Sequence, residues 1–258
     1  MPVAGGLHYF QHLGEGSPRP AVVLIHSLGG DCLDWPAEIR RLAGFRVLSL
    51  DLPGHGKSDG PARQSIPEYA RAVLAFLAEA RIGRAAFVGH GMGGALAQIL
   101  ALEHPERVVG LGLISSAARF RLDSTLLEHA ANRSTLALAV RSLENALCGP
   151  GTAPRLRALT MQKLSAIRPS LLYSDLLACD TFNVTGRLGS IHIPALVVCG
   201  TQDSFTPLHL SHYLAAHLPG AALQTIEGAG HLAMLEQPQR VAKILSVFLE
   251  AIPYQPGL

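Results

Sequence analysis

Gly89-His90-Gly91-Met92-Gly93-Gly94 decides the fold. A strand-like run, Ala85-Ala86-Phe87-Val88, leads into it, and a helix-like run, Gly94-Ala95-Leu96-Ala97-Gln98-Ile99-Leu100, leads out. This is the frame of a G-x-S-x-G turn, where one residue sits at strained, usually positive φ and a Ser lifts its hydroxyl above the sheet. Small residues at 89 and 93 keep Cβ atoms out of the crowded bend. The apex here is Gly91, which has no side chain to attack anything. The frame is present and its central oxygen is missing.

Working outward, residues 21–25 and 45–50 are continuous apolar runs, as strands buried on both faces should be. A strand is also expected at 7–13, a turn at 14–20 and a helix at 32–42. Pro and Gly punctuate residues 51–59 as a loop. Helical periodicity follows over 66–80, with Pro67 suited to a first turn, and 108–114 is the next strand. From 118 to 190 the alternation stops. That stretch reads as helices at 124–130, 134–147, 154–167 and 169–179, with a turn at Gly149-Pro150-Gly151. Alternation resumes with strands at 195–199 and 222–226 and helices at 207–218 and 238–251. The pattern predicts an α/β protein: a mostly parallel central sheet flanked by helices, its core formed by 1–117 and 191–258, with a helical cap at 118–190.

The 258 residues are 48% hydrophobic, enough for one substantial core. Twenty-one basic against 19 acidic residues leave a net charge of +2, so no electrostatic pull toward nucleic acid is implied. No apolar stretch reaches membrane-spanning length, and residues 1–6 lack the basic start and apolar run of a signal peptide. Cys32, Cys148, Cys179 and Cys199 are scattered with no C-x-x-C pair, as expected of reduced thiols in a cytoplasmic protein.

Four loops follow strands at the carboxyl edge, where open α/β sheets place their sites. They are His26-Ser27-Leu28-Gly29-Gly30, the bend at Gly91, Gly200-Thr201-Gln202-Asp203, and Gly228-Ala229-Gly230-His231. With Leu50-Asp51-Leu52-Pro53-Gly54-His55-Gly56-Lys57-Ser58-Asp59, Trp35 and His104-Pro105-Glu106-Arg107-Val108, these motifs make the chain resemble an α/β-hydrolase-fold protein with a helical cap over nearly its whole length. The resemblance implies the order nucleophile, acid, His along the chain, which falls on Gly91, Asp203 and His231. It makes His231 the general base, Asp203 the carboxylate that orients it, and the backbone N–H groups of Met92 and Leu28 the oxyanion hole. The Ser27-Leu28-Gly29 loop is similar to that of enol-lactonases of aromatic degradation. Carbon–carbon bond hydrolases acting on ring-cleavage products resemble it as well.

Other readings compete at each position. Asp203 would also cap a helix starting near Pro207, with Glu227 a rival acid, and Met92 would also pack the core. His26 and His55 read as loop braces. Ser27, Ser115 and Cys199 are substitute nucleophiles, though none sits on an elbow. Gly89-x-Gly91-x-x-Gly94 satisfies the dinucleotide fingerprint, but no carboxylate stands at the end of the next strand, Val109 to Ser116. Gly56-Lys57-Ser58 ends like a phosphate loop, but Asp51 stands where its first Gly belongs. His209, His212 and His217 have no metal-ligand companions and read as a solvated face. No metal or organic cofactor is implied.

Three readings of the whole follow. In the first, the chain is a serine-hydrolase relative acting on small carboxylic esters or lactones whose Ser is gone, by deliberate substitution or natural loss, leaving it inactive or strongly impaired. Gly relieves elbow strain, so the fold should be intact or modestly stabilised, by about 0.5–1 kcal/mol. In the second, His231 activates water with no covalent intermediate. In the third, the chain binds a small molecule without catalysis. The expected partner is a small molecule, in a pocket under the cap lined by Ser27, His90, Leu126, Leu138 and Leu172. Nine Arg/Lys against five Asp/Glu over 118–190 would suit a carboxylate-bearing substrate, or simply decorate outer helix faces.

Overall fold

The computed structural model describes residues 2–14 and 19–253, so 15–18 of the expected turn lie outside it. In chain order the elements are β1 (Val3–Ala4), β2 (Leu7–His12), β3 (Ala21–Ile25), α1 (Ala37–Arg40), β4 (Val47–Leu50), α2 (Ile66–Glu79), β5 (Ala85–His90), α3 (Met92–Glu103) and β6 (Val108–Ile114). Then come α4 (Ser124–Ala131), α5 (Leu136–Leu147), α6 (Pro154–Ala166), α7 (Pro169–Asp180), β7 (Ala195–Gly200), α8 (Leu208–His217), β8 (Ala222–Ile226), α9 (Ala233–Glu236) and α10 (Pro238–Glu250).

The eight strands form one sheet in the order β1-β2-β4-β3-β5-β6-β7-β8. β1, β2 and β4 pair antiparallel, and every pairing from β4 to β8 is parallel. Strand alternation divides the core into two layers. Ala85 and Phe87 of β5 pack with α2, α3 and the cap helices, whereas Ala86 and Val88 pack with α1 and α10. The fully apolar strands are central, and the half-buried β8 is an edge.

Helices α4 to α7 stand between β6 and β7 as one insertion, whose two ends meet. Val184 N–H donates to the Ala118 carbonyl at 2.8 Å, and Arg119 bridges Asn183. The expected helix at 32–42 shrinks to α1. Asp31 and Asp34 accept from the N–H groups of Leu33 and Asp31, holding that stretch as a turn, and Pro36 has no N–H to continue a helix. The short β1 and α9 carry too few residues for a periodic signal. No helix among the described residues is long and apolar enough to cross a membrane.

Candidate active site

At the end of β5 the chain turns through Gly91, at φ 51° and ψ −114°, directly into α3. The bend is tight enough that a Cβ on Gly89 would strike the Gly93 backbone, and one on Gly93 would strike the carbonyls of Ile25 and His26. Gly91 N–H donates to the Ile114 carbonyl at 3.0 Å, and Ser116 Oγ donates to the Gly91 carbonyl at 2.8 Å. Both polar groups of the apex are therefore pinned from the end of β6 and the residues just after it.

The loops after β7 and β8 bring Asp203 and His231 together, both side chains fully buried. His231 Nδ1 lies 3.0 and 3.1 Å from the two carboxylate oxygens and 3.2 Å from Thr206 Oγ1. Acceptors on that side place the ring proton on Nδ1 and leave the Nε2 lone pair free. Nε2 is buried with no hydrogen-bond partner, and it lies 3.3 Å from the point where a Cβ on residue 91 would stand. The ring is held on its faces by His90, at 4.6 Å between centroids, and by the edge of Phe205, at 5.0 Å.

Asp203 also braces the turn into α8: its Oδ1 accepts from Phe205 and Thr206 N–H, and its Oδ2 from the Thr206 hydroxyl at 2.7 Å. Burial alone would raise its pKa. The adjoining His231 ring, with the hydrogen bonds from His231 and Thr206, outweighs that and holds it below the usual carboxylate range. Burial first, and then the neighbouring His231, push His90 down to about 3, so it is neutral and donates Nε2–H to the His231 carbonyl at 3.1 Å. The rival acid Glu227 is exposed.

Ser27 and Leu28 reach the bend from the loop after β3. Met92 N–H donates weakly to Ser27 Oγ at 3.4 Å, and Leu28 N–H has no partner among the described residues. The same loop is anchored to the cap, because Gly29 N–H donates to Asp175 Oδ2 at 2.7 Å. A cavity of about 230 Å³ opens beside Ser27, Leu28 and His90, and the cap closes it with Leu147, Leu156, Leu159, Leu164 and Ile167.

This lining corrects the expected cap residues. Leu138 is 50% exposed on α5, Leu126 is half-buried on α4, and Leu172 is sealed in the core, so none of the three lines the cavity. Position 156 recurs at 159/160, 163/164 and 167, a helical stripe that puts α6, not α4 or α7, over the opening. Lys163 is the cationic group at this wall, and it is already paired with Asp31 at 2.8 Å and with Asp34. The excess of cap cations thus does not leave an unpaired charge in the cavity among the described residues.

Of the other sequence candidates, Cys199 is pushed up to about 11 by burial and is a poor thiolate at neutral pH. Ser115 is buried at φ 46° with no partner for its Oγ, and it is not among the atoms nearest the Gly91 apex. His209, His212 and His217 are exposed. His8, Cys32 and Asp51 gather ligand-type atoms within 4.8 Å of one another. Asp51 is, however, already saturated by His8 Nδ1 and by the N–H groups of Cys32 and Lys57, and burial raises the Cys32 thiol to about 12. That group braces the loop after β4. Sequence reading missed Thr206, Phe205 and Asp175. The last carried a signal, as a lone carboxylate in the apolar run Leu171–Cys179 needs a partner.

A glycine-framed bend, a buried His–Asp pair facing it and an apolar cavity reached past Ser27, Leu28 and His90 lie together at the carboxyl edge of the sheet. Residues 20–238 match the model of the alpha/beta hydrolase fold family, and the chain belongs to that family of hydrolytic enzymes. Over 94% of its length it is 31% identical to a pimeloyl-acyl-carrier protein methyl ester esterase of Chromobacterium violaceum, of which it covers 98%. It is 28% identical to a 3-oxoadipate enol-lactonase of Acinetobacter baylyi, with 90% of each chain covered. The solved structure of an enol-lactonase from Burkholderia xenovorans superposes with a TM-score of 0.86 at 26% identity, covering 95% of this chain and 96% of that one.

Proposed function

We propose that this chain is built to hydrolyse a small carboxylic ester or lactone with a largely apolar acyl part, and that Gly91 removes the ordinary acyl acceptor, leaving that route strongly impaired. One observation carries the reading: the buried, partnerless Nε2 of His231 lies 3.3 Å from where a side chain at 91 would begin. His231 is the base, Asp203 fixes its tautomer, and the N–H groups of Met92 and Leu28 receive the developing oxyanion. The leucine-rich cavity supports an apolar acyl group, and the pairing of Lys163 argues against a carboxylate anchor. The relatives named for ester and lactone hydrolysis support the bond type. Four free, buried cysteines fit a cytoplasmic setting.

Gly91→Ser tests this. The new Cβ displaces Ser27 Oγ, which turns about one bond. Hydrolysis of p-nitrophenyl acetate or butyrate is expected to rise on the order of 10²-fold or more, because loss of such a Ser removes most of the rate. A folded Gly91→Ser protein with no gain on short aryl esters or lactones would sink the reading.

A further inference from the structure

Position 91 is empty of side chain, but the space above it is not empty. A Cβ on residue 91 would collide with Ser27 Oγ and stand 3.1 Å from Ser27 Cβ. The Ser27 hydroxyl therefore enters, from the opposite wall, the small volume that an elbow side chain would fill. A Cβ at 91 and this placement of Ser27 exclude each other. We propose that Ser27 is the nucleophile of this protein, its Oγ taking the acyl group in place of residue 91. The proposal rests on the reading of His231 and Asp203 given above.

Three further observations bear on it. Ser27, Leu28 and His90 line the cavity, whereas Gly91 and His231 do not, so the hydroxyl that a substrate meets beside the bend is that of Ser27. His231 Nε2, a buried ring nitrogen close to residue 91, has no hydrogen-bond partner. Leu28 N–H follows Ser27 in the chain as Met92 N–H follows residue 91, and Met92 N–H already points at Ser27 Oγ. The two donors thus flank either position. Ser27 and His231 are not hydrogen-bonded to each other here. Catalytic hydrogen bonds of this kind are commonly long before substrate binds and tighten in the complex.

The chemistry balances without any added reagent. His231 Nε2 takes the Ser27 proton as Oγ bonds to the ester carbon, and the carbonyl becomes an oxyanion. As it re-forms, the bond to the leaving oxygen breaks, and His231 returns the proton to that oxygen. Water then repeats the sequence: His231 takes its proton, the hydroxide adds to the acyl carbon, and Ser27 Oγ leaves with the proton.

The test uses the unaltered protein and a fluorophosphonate, with which an activated serine exchanges fluoride for a P–O bond. Peptide mass spectrometry is expected to place the adduct on Ser27, and Ser27→Ala and His231→Ala are each expected to abolish it. Ser27→Ala should also lower p-nitrophenyl acetate hydrolysis about 10-fold or more, to the level of His231→Ala, with an unchanged circular dichroism spectrum. Hydrolysis that needs His231 but ignores Ser27→Ala would assign direct activation of water and overturn the proposal. So would labelling at any other residue, or no labelling and no hydrolysis in the unaltered protein. Gly91→Ser separates the two failures: if it hydrolyses esters while Ser27 stays unlabelled in the unaltered protein, only Ser27 falls. If it too is inert, the underlying reading falls with it.

Discussion

Two buried clusters in this molecule have the same parts. One is His90, His231 and Asp203, and the other is His26, His55 and Asp175. In each, a histidine lies on a buried carboxylate, at 3.0 Å for His231 and 2.8 Å for His55. In each, a second histidine packs at a tilt against the first, at 4.6 and 4.7 Å between centroids. Burial and the adjoining ring push both second histidines down to about 3. The difference lies in one nitrogen. His55 meets the Pro53 carbonyl with Nδ1 and Asp175 with Nε2, two acceptors, so the imidazolium satisfies both with its two N–H groups. Burial disfavours that charge, but Asp175 outweighs it and raises the His55 pKa. His231 meets acceptors on one side only and keeps a lone pair facing the bend. The same pair is a brace where every valence is used and, on the reading proposed above, a base where one is left over.

Exchanging the carboxylates should break the comparison most sharply. Asp175 accepts from Gly29 N–H, His55 and Tyr69 OH, and its removal strands three buried donors. Asp175→Ala is expected to lower stability by about 3–5 kcal/mol, read as a large fall in the urea midpoint. Asp203→Ala, made in the Gly91→Ser background, also strands the Phe205, Thr206 and His231 donors and so costs stability too. It alone is expected to lower kcat of the folded protein as well, on the order of 10³-fold or more, because it costs His231 its orientation. If both substitutions act chiefly on stability, or both chiefly on kcat, the two clusters are not divided as argued.

The sequence carries these clusters unequally. Asp203 and His231 stand beside glycine-rich turns that follow strands, and strand ends converge on one sheet edge whatever the side chains do. The small residues at 89 and 93 are legible for the same reason, because a strand-to-helix bend leaves no room there. Asp175 reaches Gly29 across 146 residues, and no local pattern encodes that. The cap leucines were misplaced because periodicity gives a helix its stripe but not the neighbour that the stripe faces. Ser27 was visible only as a nearby hydroxyl. That its oxygen occupies the volume vacated at 91 is a fact of tertiary packing.

Acid should sharpen the likeness of His26 and His90. Their pKa values in the fold, about 3, lie below the ordinary 6.5, so the unfolded chain binds protons that the fold refuses. Each contribution is complete above pH 6.5 and is lost as pH falls toward 3. His55 has the opposite sign: its raised pKa gives stability that is complete below the ordinary value of 6.5 and lost as pH rises through the folded value. The lowered Asp203 adds acid lability only below its ordinary 3.8. Stability should therefore drop steeply between pH 6 and 4. His26→Asn, which keeps one donor and one acceptor for the Ser27 carbonyl and Leu52 N–H, should flatten that slope by about 1.4 kcal/mol per pH unit. An unaltered slope in urea titrations would mean that His26 is not held neutral.

The smallest expected effect comes from a matched pair of hydroxyls. Tyr69 OH donates to Asp175 Oδ1 at 2.6 Å, and Thr206 Oγ1 donates to Asp203 Oδ2 at 2.7 Å. Each lends one charge-assisted hydrogen bond to its carboxylate, so Tyr69→Phe and Thr206→Val should each lower stability by about 1.5–3 kcal/mol. Only Thr206 also touches the histidine, at 3.2 Å from Nδ1. In the Gly91→Ser background, Thr206→Val should therefore cut kcat several-fold and shift its pH profile, while Tyr69→Phe leaves both where they were. A hydroxyl on the brace can be removed at the expense of stability alone. If Tyr69→Phe instead moves the pH profile of kcat, the charge on Asp175 reaches the reacting site through the Gly29 loop, and the brace belongs to the machinery it supports.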